Sequence, residues 1–367
     1  MPVFSGTLNT NEVTASLYNM IISQEVFADN IADGYGSLVE RARVDGGLYG
    51  DSKLFIATDA LRSHDWLGDA EAANLLAVDR APLPYEQSIV LNVFRQIRVT
   101  IDNYLTKRAF MDEGAFSAFN GVILGWLQAT KRIYDESTYN AFIGNVAPSN
   151  SVTVDMTGVT AAASTADDES YARIQAQKIA TTIADLFSGL KKPSKLYNDL
   201  NFYRSYKASD LVVIWNSKHV NEITRLDLPT IFHDESVIKD LIKEENIIHE
   251  DYFGTINAAA TAGGSGIYSL IEQDVPETVP STPAAPIHVF AGENIPAGYT
   301  AAAGTSYTKD TDIVCIITTK KLPPYMSAFQ VGTSFFNARA LLENHYLTFG
   351  HNSLERFADK PFIKVSL

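Results

Sequence analysis

Residues 112–142 read DEGAFSAFNGVILGWLQATKRIYDESTYNAF, and this stretch contains the clearest helical pattern in the chain. Its apolar residues recur every three or four positions, which predicts an amphipathic helix from 113 to about 142. Asp112 is suited to cap that helix, and Glu113 lies in the first turn, where the helix dipole favours negative charge. Such a helix extends roughly 45 Å, which suits the spine of an elongated subunit. The predicted buried stripe comprises Phe116, Phe119, Ile123, Leu127, Thr130 and Tyr134, widened by Val122, Trp126 and Ile133.

The region before this helix has few core residues. Residues 53–57 form one predicted strand, and the runs 87–93 and 97–101 alternate apolar and polar residues with the period of two that is typical of strands. We interpret these runs as a long two-stranded excursion. A two-stranded ribbon is only marginally stable in water, so this one needs another surface to lie on. Residues 1–45 precede it as an arm, with a short amphipathic helix predicted within 16–28.

The middle of the chain alternates helices and strands. A second long helix is predicted to begin at Asp167 or Asp168, either of which can cap it. The continuous apolar run 211–215 predicts a buried strand. Two short helices are predicted after this strand, one that ends at Leu226 and one that Asp234 caps.

The last third of the chain contains the least regular sequence. Residues 255–311 are rich in Ala, Gly, Thr, Ser and Pro, which predicts loops and short strands, with room for a small insertion at 267–295. Strands are predicted at 312–319 and at 361–367, the latter docked into a sheet, and residues 341–346 are expected to end a short helix or strand. Together these elements predict an α+β protein.

The composition excludes some functions. The chain has 367 residues and a formal net charge of −14. A protein that binds DNA by neutralising phosphates carries a basic patch, so this balance argues against a sequence reader or a packaging histone. It is compatible with the wall of a container that DNA presses against. The first residues lack the basic and apolar regions of a signal peptide, and no stretch of about 18 apolar residues occurs, so we expect no membrane partner and synthesis in a cytoplasm.

Sequence motifs that carry catalysis or metal binding are absent. The chain has no phosphate loop, no nucleophile elbow, no HExxH and no calcium-loop spacing. The Gly-rich segment 263–266 follows Ala-rich sequence, which favours a flexible loop over a phosphate cradle. Cys315 is the only cysteine and lies in an apolar run. It therefore forms no intramolecular disulfide, and we expect a buried structural thiol.

Histidines beside carboxylates are candidates for metal or acid–base sites. They occur at 233–235 and at 249–251, but adjacent side chains point in different directions, and Asp234 is better explained as a helix cap. His345 and His351 are expected to make polar contacts in the core or in an interface rather than to bind a ligand. We predict no catalytic, cofactor-binding or metal-binding residue.

The best basic cluster comprises Lys191, Lys192, Lys195, Arg204 and Lys207, with Tyr197, Phe202, Tyr203 and Tyr206 interleaved. Aromatic residues among basic ones are typical of proteins that bind single-stranded nucleic acid. The acidity of the whole chain favours another interpretation, in which the end of a helix and the loop after it contact an acidic neighbouring subunit.

Five segments, taken in order, resemble the major capsid proteins of tailed bacteriophages, which have the Hong Kong 97-type fold. These segments are 93–101, 112–116, 210–216, 331–339 and 346–352. None of them is a chemical motif, so the specificity of the resemblance lies in their order and in their coverage of most of the chain.

The resemblance implies a division of the chain by region. The implied regions are an N-terminal arm at 1–45, an extended β-loop at 46–90, a peripheral domain with the spine helix at 91–169, an axial domain at 170–310 that includes the insertion at 267–295, and a return to the peripheral domain at 311–367.

The resemblance also implies a function. A protein of this kind is structural rather than enzymatic, needs no cofactor, and assembles with its own copies as hexamers and pentamers into the icosahedral head of a virion. The head encloses double-stranded DNA without sequence-specific binding and is assembled in the host bacterial cytoplasm. A portal and a decoration or auxiliary capsid protein are expected partners. A separate scaffolding protein is also expected, because the chain has no room for the scaffolding segment with which some relatives begin. Some relatives form Lys–Asn crosslinks; Lys53 lies in the matching loop, but no Asn partner is assigned.

Two other interpretations stay open at this point. An encapsulin-like compartment shell has the same fold but encloses enzyme cargo, and it needs a groove for a cargo peptide. A soluble enzyme with a cryptic site needs a deep polar pocket and forms a small oligomer rather than a closed particle.

Overall fold

The computed structural model describes residues 38–46, 52–63, 65, 80–102, 113–159, 168–224, 246–278, 285–340 and 342–367. Its helices are α1 (Leu38–Ala42), α2 (Glu113–Asn145), α3 (Asp168–Lys191) and α4 (Ser217–Thr224), with short 3₁₀ turns at Ala208–Asp210 and Glu250–Tyr252. Its strands are β1 (Arg43–Asp45), β2 (Ser52–Ala57), β3 (Tyr85–Asp102), β4 (Asn150–Thr153), β5 (Leu211–Asn216), β6 (Ile247–Ile248), β7 (Gly254–Ile256), β8 (Thr261–Ala262), β9 (Ile267–Ser269), β10 (Gln273–Val275), β11 (Ile287–Val289), β12 (Thr300–Ala301), β13 (Ser306–Lys309), β14 (Ile313–Thr319), β15 (Tyr325–Asn337), β16 (Leu342–Asn352) and β17 (Phe362–Ser366).

The longest strands form a five-stranded sheet in the order β1-β15-β16-β3-β2. Strand β1 is parallel to β15, and the other pairs are antiparallel. The first third of β3 pairs with β2 and the remainder pairs with β16, so β3 joins a two-stranded ribbon to the body of the sheet. Helix α2 covers one face of this sheet, where Leu127 packs with Leu347, Ile97 and Val99.

A second five-stranded sheet has the order β4-β17-β14-β5-β6. Strands β5 and β14 are buried along their whole length, because helices cover both faces of the sheet. Helix α3 packs on one face through Ile179, Ile183 and Leu190. The C-terminal part of α2 covers the other face through Tyr139 and Ile143, so the long helix connects the two sheets.

The short strands β7 to β13 form a small β region at residues 254–309. It contains a three-stranded sheet, β7-β13-β9, and the pairs β10-β11 and β12-β8. Its own apolar core is built around Val275, Val289 and Ile295. The region is attached to the end of α2, where the amide of Asn145 donates a hydrogen bond to the carbonyl oxygen of Tyr252 at 2.9 Å.

Most of the regular elements predicted from the sequence are present. The structure confirms the helices predicted from 113 and from Asp168, the short strands at 255–311, and the strands at 53–57, 211–215, 312–319 and 361–367. The last strand lies inside the second sheet, between β14 and β4, as its apolar sequence predicted. Of the range 341–346, the described residues 342–346 begin strand β16.

One feature of the predicted secondary structure is wrong, and one long strand was not predicted. The runs 87–93 and 97–101 are parts of one strand, β3, and the ribbon partner of its first third is β2. The alternation continues through Arg95, whose charged side chain interrupted the apolar pattern but lies over the ring of Tyr134, 5.6 Å from its centroid. Strand β15, which the sequence analysis did not predict, is 13 residues long.

Some predictions fall outside the described residues, namely the helix within 16–28, the cap at Asp112 and the helix after Asp234. The division into arm, loop, peripheral and axial domains stays a prediction. The range 311–367 contributes strands to both five-stranded sheets. In the part of the chain that the structure covers, no helix combines the length and the apolar character needed to cross a membrane.

Candidate assembly surfaces

The two-stranded ribbon formed by β2 and the first third of β3 has two different faces. On one face Phe55 packs towards the body of the protein, with its ring centroid 4.6 Å from that of Phe357. On the other face Leu54, Ile56 and Val90 remain 59%, 53% and 38% exposed. Neighbouring apolar side chains on the outward face of an edge ribbon are typical of a surface that another molecule covers.

Helix α2 exposes a second apolar surface. Leu127 and Tyr134 face the long-stranded sheet and are buried, whereas Trp126 and Ile133 are 64% and 55% exposed. These two exposed residues are seven positions apart, which places them two turns apart on the same side of the helix. The prediction that Trp126 and Ile133 widen the buried stripe is therefore wrong, and they form a separate exposed stripe.

A buried polar network connects α2 to strands β1 and β15. The ammonium group of Lys131 lies 2.8 Å from the carboxylate of Asp135, and both side chains are buried. The hydroxyl of Tyr325 on β15 donates to the other carboxylate oxygen of Asp135 at 2.6 Å. The guanidinium group of Arg43 on β1 lies 3.7 Å from the oxygen that Lys131 contacts. Because a buried charge is stable only when it is paired, this network fixes the orientation of the exposed stripe relative to the sheet.

His351 belongs to the same buried network. Its Nδ1 lies 2.8 Å from the carbonyl oxygen of Asn352, which can only accept, so Nδ1 carries the hydrogen. Its Nε2 then accepts a hydrogen bond from the hydroxyl of Tyr134 at 2.7 Å. Burial lowers the pKa of His351 and that of His345 on the same strand, which favours the neutral rings. His351 thus makes the polar core contact expected from the sequence.

The structure divides the predicted basic cluster. Lys195 lies over the ring of Tyr203, 4.6 Å from its centroid. Arg204 makes contacts within the same chain: it donates a hydrogen bond to the carbonyl oxygen of Thr58 at 2.8 Å and lies 3.8 Å from the carboxylate of Asp359. The other members are the exposed Lys191, Lys192 and Lys207, the ring of Phe202 under Arg204, and Tyr197 and Tyr206, which pack against the core.

An open cleft of about 970 Å³ lies beside Lys195 and Tyr203. Residues 59–63 and 80–82, which continue from the two strands of the ribbon, form its other walls. They bring Arg62 and Arg80 to the basic cluster. Neither arginine could be recognised from the sequence, because each is isolated there and only the pairing of β2 with β3 brings them together.

The carboxylates near His249 have a structural role. Lys309 on β13 lies 2.8 Å from Glu250 and 2.6 Å from Asp251, so both carboxylates anchor the small β region. The ring of His249 caps the same turn, where it accepts a hydrogen bond from the backbone of Asp251. Residues 233–235 lie outside the described residues. Within the described ranges, no group of three or more metal-ligating side chains is close enough to hold an ion.

The Gly-rich segment 263–266 is a hydrogen-bonded turn between two strands. Gly263 and Gly264 donate backbone hydrogen bonds to the carbonyl oxygens of Tyr299 and Ile295. The segment is followed by strand β9 and not by a helix, so it lacks the geometry of a phosphate cradle. Cys315 is fully buried, and burial raises the pKa of its thiol, as expected for a structural residue.

Comparison with known proteins links this arrangement to viral shells. The family model described as Phi29-like phage major capsid protein matches residues 5–362. No curated protein sequence matches the chain.

Two solved structures with a similar fold come from phage particles. A chain of the capsid structure of Staphylococcus phage Andhra is 11% identical, with a TM-score of 0.54 over 91% of this chain and 84% of that chain. A chain of the structure of the head fiber and inner core protein of native bacteriophage P68 is also 11% identical, with a TM-score of 0.51 over 88% of this chain and 82% of that chain. At this identity the likeness concerns the fold alone.

Proposed function

The chain belongs to the Phi29-like phage major capsid protein family, and from this premise we propose that it assembles as hexamers and pentamers into an icosahedral head that encloses double-stranded DNA. As a major capsid protein it is a structural component of the virion and assembles with its own copies into a shell. The observation that carries the proposal is the family match over residues 5–362.

The exposed surfaces support a specific contact between copies. In the proposed shell, the outward face of the ribbon, with Leu54 and Ile56, packs on the exposed helix stripe of the adjacent copy, formed by Trp126 and Ile133. Each surface exposes large apolar side chains, and each lies on an element that packs against its own sheet. Each contact between copies is modest, and the shell is stabilised by the large number of such contacts.

The proposed regions are those that the family resemblance implies. In this proposal, residues 46–90 form the extended loop that lies over the neighbour, and 91–169 form the peripheral domain around the spine helix. Residues 170–310 form the axial domain near the five-fold and six-fold centres, and 311–367 return to the peripheral domain after an N-terminal arm at 1–45. The length of α2 and the projecting ribbon support this division, since they are the elongated elements it requires.

The remaining partners follow from the acidic charge and the family role. A formal charge of −14 supports a wall that encloses DNA without sequence-specific binding. The family role supports a structural protein without catalytic activity. We expect a separate scaffolding protein, a portal and a decoration or auxiliary protein, with assembly in the host bacterial cytoplasm. Crosslinking through Lys53 stays open, and neither the encapsulin-like shell nor the soluble enzyme gains support from the family match.

Electron microscopy of the purified full-length chain tests this function. Closed particles tens of nanometres wide, built from five-fold and six-fold clusters, are the expected result. A homogeneous small oligomer at every concentration and salt level, with or without the co-expressed scaffolding protein, contradicts the proposal.

A further inference from the structure

The cleft beside Lys195 is a concentrated positive surface on an acidic protein. Arg62, Arg80 and Lys195 line it, and all three side chains are exposed. Among the described residues, none of these three cations has a carboxylate within salt-bridge distance. The cations are held in place by three separate segments, the two loop ends of the ribbon and the turn after α3.

The acid in the cleft wall, Asp59, offsets only one of the three positive charges. Asp59 accepts backbone hydrogen bonds from Tyr203 and Ala60, both at 2.8 Å. The hydrogen bond from Tyr203 lowers the pKa of Asp59, so this carboxylate is charged and is used to join the ribbon to the turn. One carboxylate, already bonded within the wall, therefore faces three cations.

The complementary charge lies elsewhere in the same chain. Residues 246–312, which contain the small β region and are called the acidic β region below, have eight carboxylates and one lysine. Their formal charge is therefore −7, half of the −14 of the whole chain. Asp274 on β10 and Glu293 after β11 are exposed members of this set. Asp274 lies 2.9 Å from the ring of His288, and Glu293 accepts a hydrogen bond from the backbone of Phe290 at 2.9 Å, but both carboxylates stay open to solvent. Within one copy, no hydrogen bond or ion pair of the described residues joins Arg62, Arg80 or Lys195 to these carboxylates.

We propose that the cleft formed by Arg62, Arg80 and Lys195 binds the acidic β region of a second copy of the chain, through carboxylates near Asp274 and Glu293. This inference rests on the proposed self-assembly and adds a second, electrostatic contact to the apolar one. Exposed ion pairs between copies contribute mainly to specificity and to the rate of association, so this contact selects the correct neighbour and register. Its strength falls as salt increases.

A nucleic acid is the competing occupant of a basic cleft. Binding of single strands needs exposed aromatic rings on which bases stack. Among the described residues, one aromatic ring lines the cleft, that of Tyr203, and Lys195 lies over one of its faces, 4.6 Å from its centroid. The described geometry therefore favours a carboxylate partner over a stacked base.

Crosslinking between copies tests the contact directly. Cys315 is fully buried, so an added surface cysteine is the reactive one. Lys195→Cys chains are co-assembled with Asp274→Cys or with Glu293→Cys chains and treated with a short bis-maleimide. We expect a crosslinked dimer with at least one of the two acidic-site variants, and none with the control Asp155→Cys, which alters an exposed acid outside this region. Assembled particles without any such dimer overturn the inference but leave the proposed function intact.

Charge reversal provides an independent test. We expect Arg80→Glu with Lys195→Glu to lower the yield of particles about tenfold at about 0.1 M salt, and Asp274→Lys with Glu293→Lys to restore it in the same chain. An unchanged yield overturns the inference. A normal particle yield with less packaged DNA also overturns it, because that result assigns the cleft to nucleic acid. Failure of the wild-type chain to form particles contradicts the proposed function instead.

Discussion

Replacing Leu54 and Ile56 with serine is the most informative perturbation of the proposed ribbon contact. Fully burying a Leu or Ile side chain contributes about 1.5 to 3 kcal/mol. In the free chain these side chains are 59% and 53% exposed, so roughly half of that amount is left for a neighbour to contribute. The pair therefore accounts for about 2 kcal/mol of each contact between copies, which is about a 30-fold change in the association constant.

The same substitutions destabilise the isolated subunit only moderately. About half of each side chain is already covered within the free chain, so we expect the free energy of unfolding to fall by about 2 kcal/mol, which a domain of ordinary stability tolerates and which a urea titration measures separately. The core contact of the ribbon, Phe55 with Phe357, is retained. A loss of assembly in this variant therefore reports the contact between copies and not a loss of folding.

Sedimentation at increasing protein concentration measures the effect. We expect the concentration at which particles first form to rise about 30-fold in the Leu54→Ser, Ile56→Ser variant. The matched control exchanges the two residues, Leu54→Ile with Ile56→Leu, which keeps the apolar area and should assemble near the wild-type concentration. If the serine variant assembles at the wild-type concentration, the ribbon face does not contribute to the shell.

Three further predictions concern the helix stripe, the glycine turn and the buried histidine. Trp126→Ser with Ile133→Ser should block particle formation, as seen by electron microscopy, while circular dichroism shows a folded subunit, because both side chains are exposed in the free chain. Gly263→Ala should lower the free energy of unfolding in urea by about 1 to 3 kcal/mol, because its Cβ would lie 2.2 Å from a backbone carbonyl oxygen, whereas Gly264→Ala, which meets no atom within 4 Å, should have little effect. Burial lowers the pKa of His351, so the unfolded chain takes up a proton first as the pH falls below about 6.5. Wild-type stability should therefore fall between about pH 7 and pH 5 by up to about 1.4 kcal/mol per unit, and His351→Gln should fall less steeply.

The strands and helices with a regular pattern could be predicted because their burial is decided within one chain. Strand β5 is apolar throughout since helices cover both of its faces, and α3 has the spacing of a helix that buries one side. Strand β15 lacks such a regular pattern, which is why it was not predicted. Its Phe335 is exposed, while Ser334 lies on the other face, so its alternation does not match a half-buried strand.

The assembly surfaces could not be recognised from the sequence for a related reason. Trp126 and Ile133 have the composition and spacing of core residues, and the sequence does not say whether the core belongs to one chain or to two. Arg62 and Arg80 are single charges in unremarkable segments, and only the pairing of β2 with β3 places them beside Lys195. Surfaces built from distant segments thus require the tertiary structure.

A reconstruction of the assembled particle by electron cryomicroscopy tests the central claim most directly. We predict a closed shell in which residues 52–57 of one copy lie across Trp126 and Ile133 of the next. A particle in which the ribbon contacts only its own chain contradicts the proposed contact. The absence of any closed particle from the full-length chain, with or without the scaffolding protein, contradicts the function.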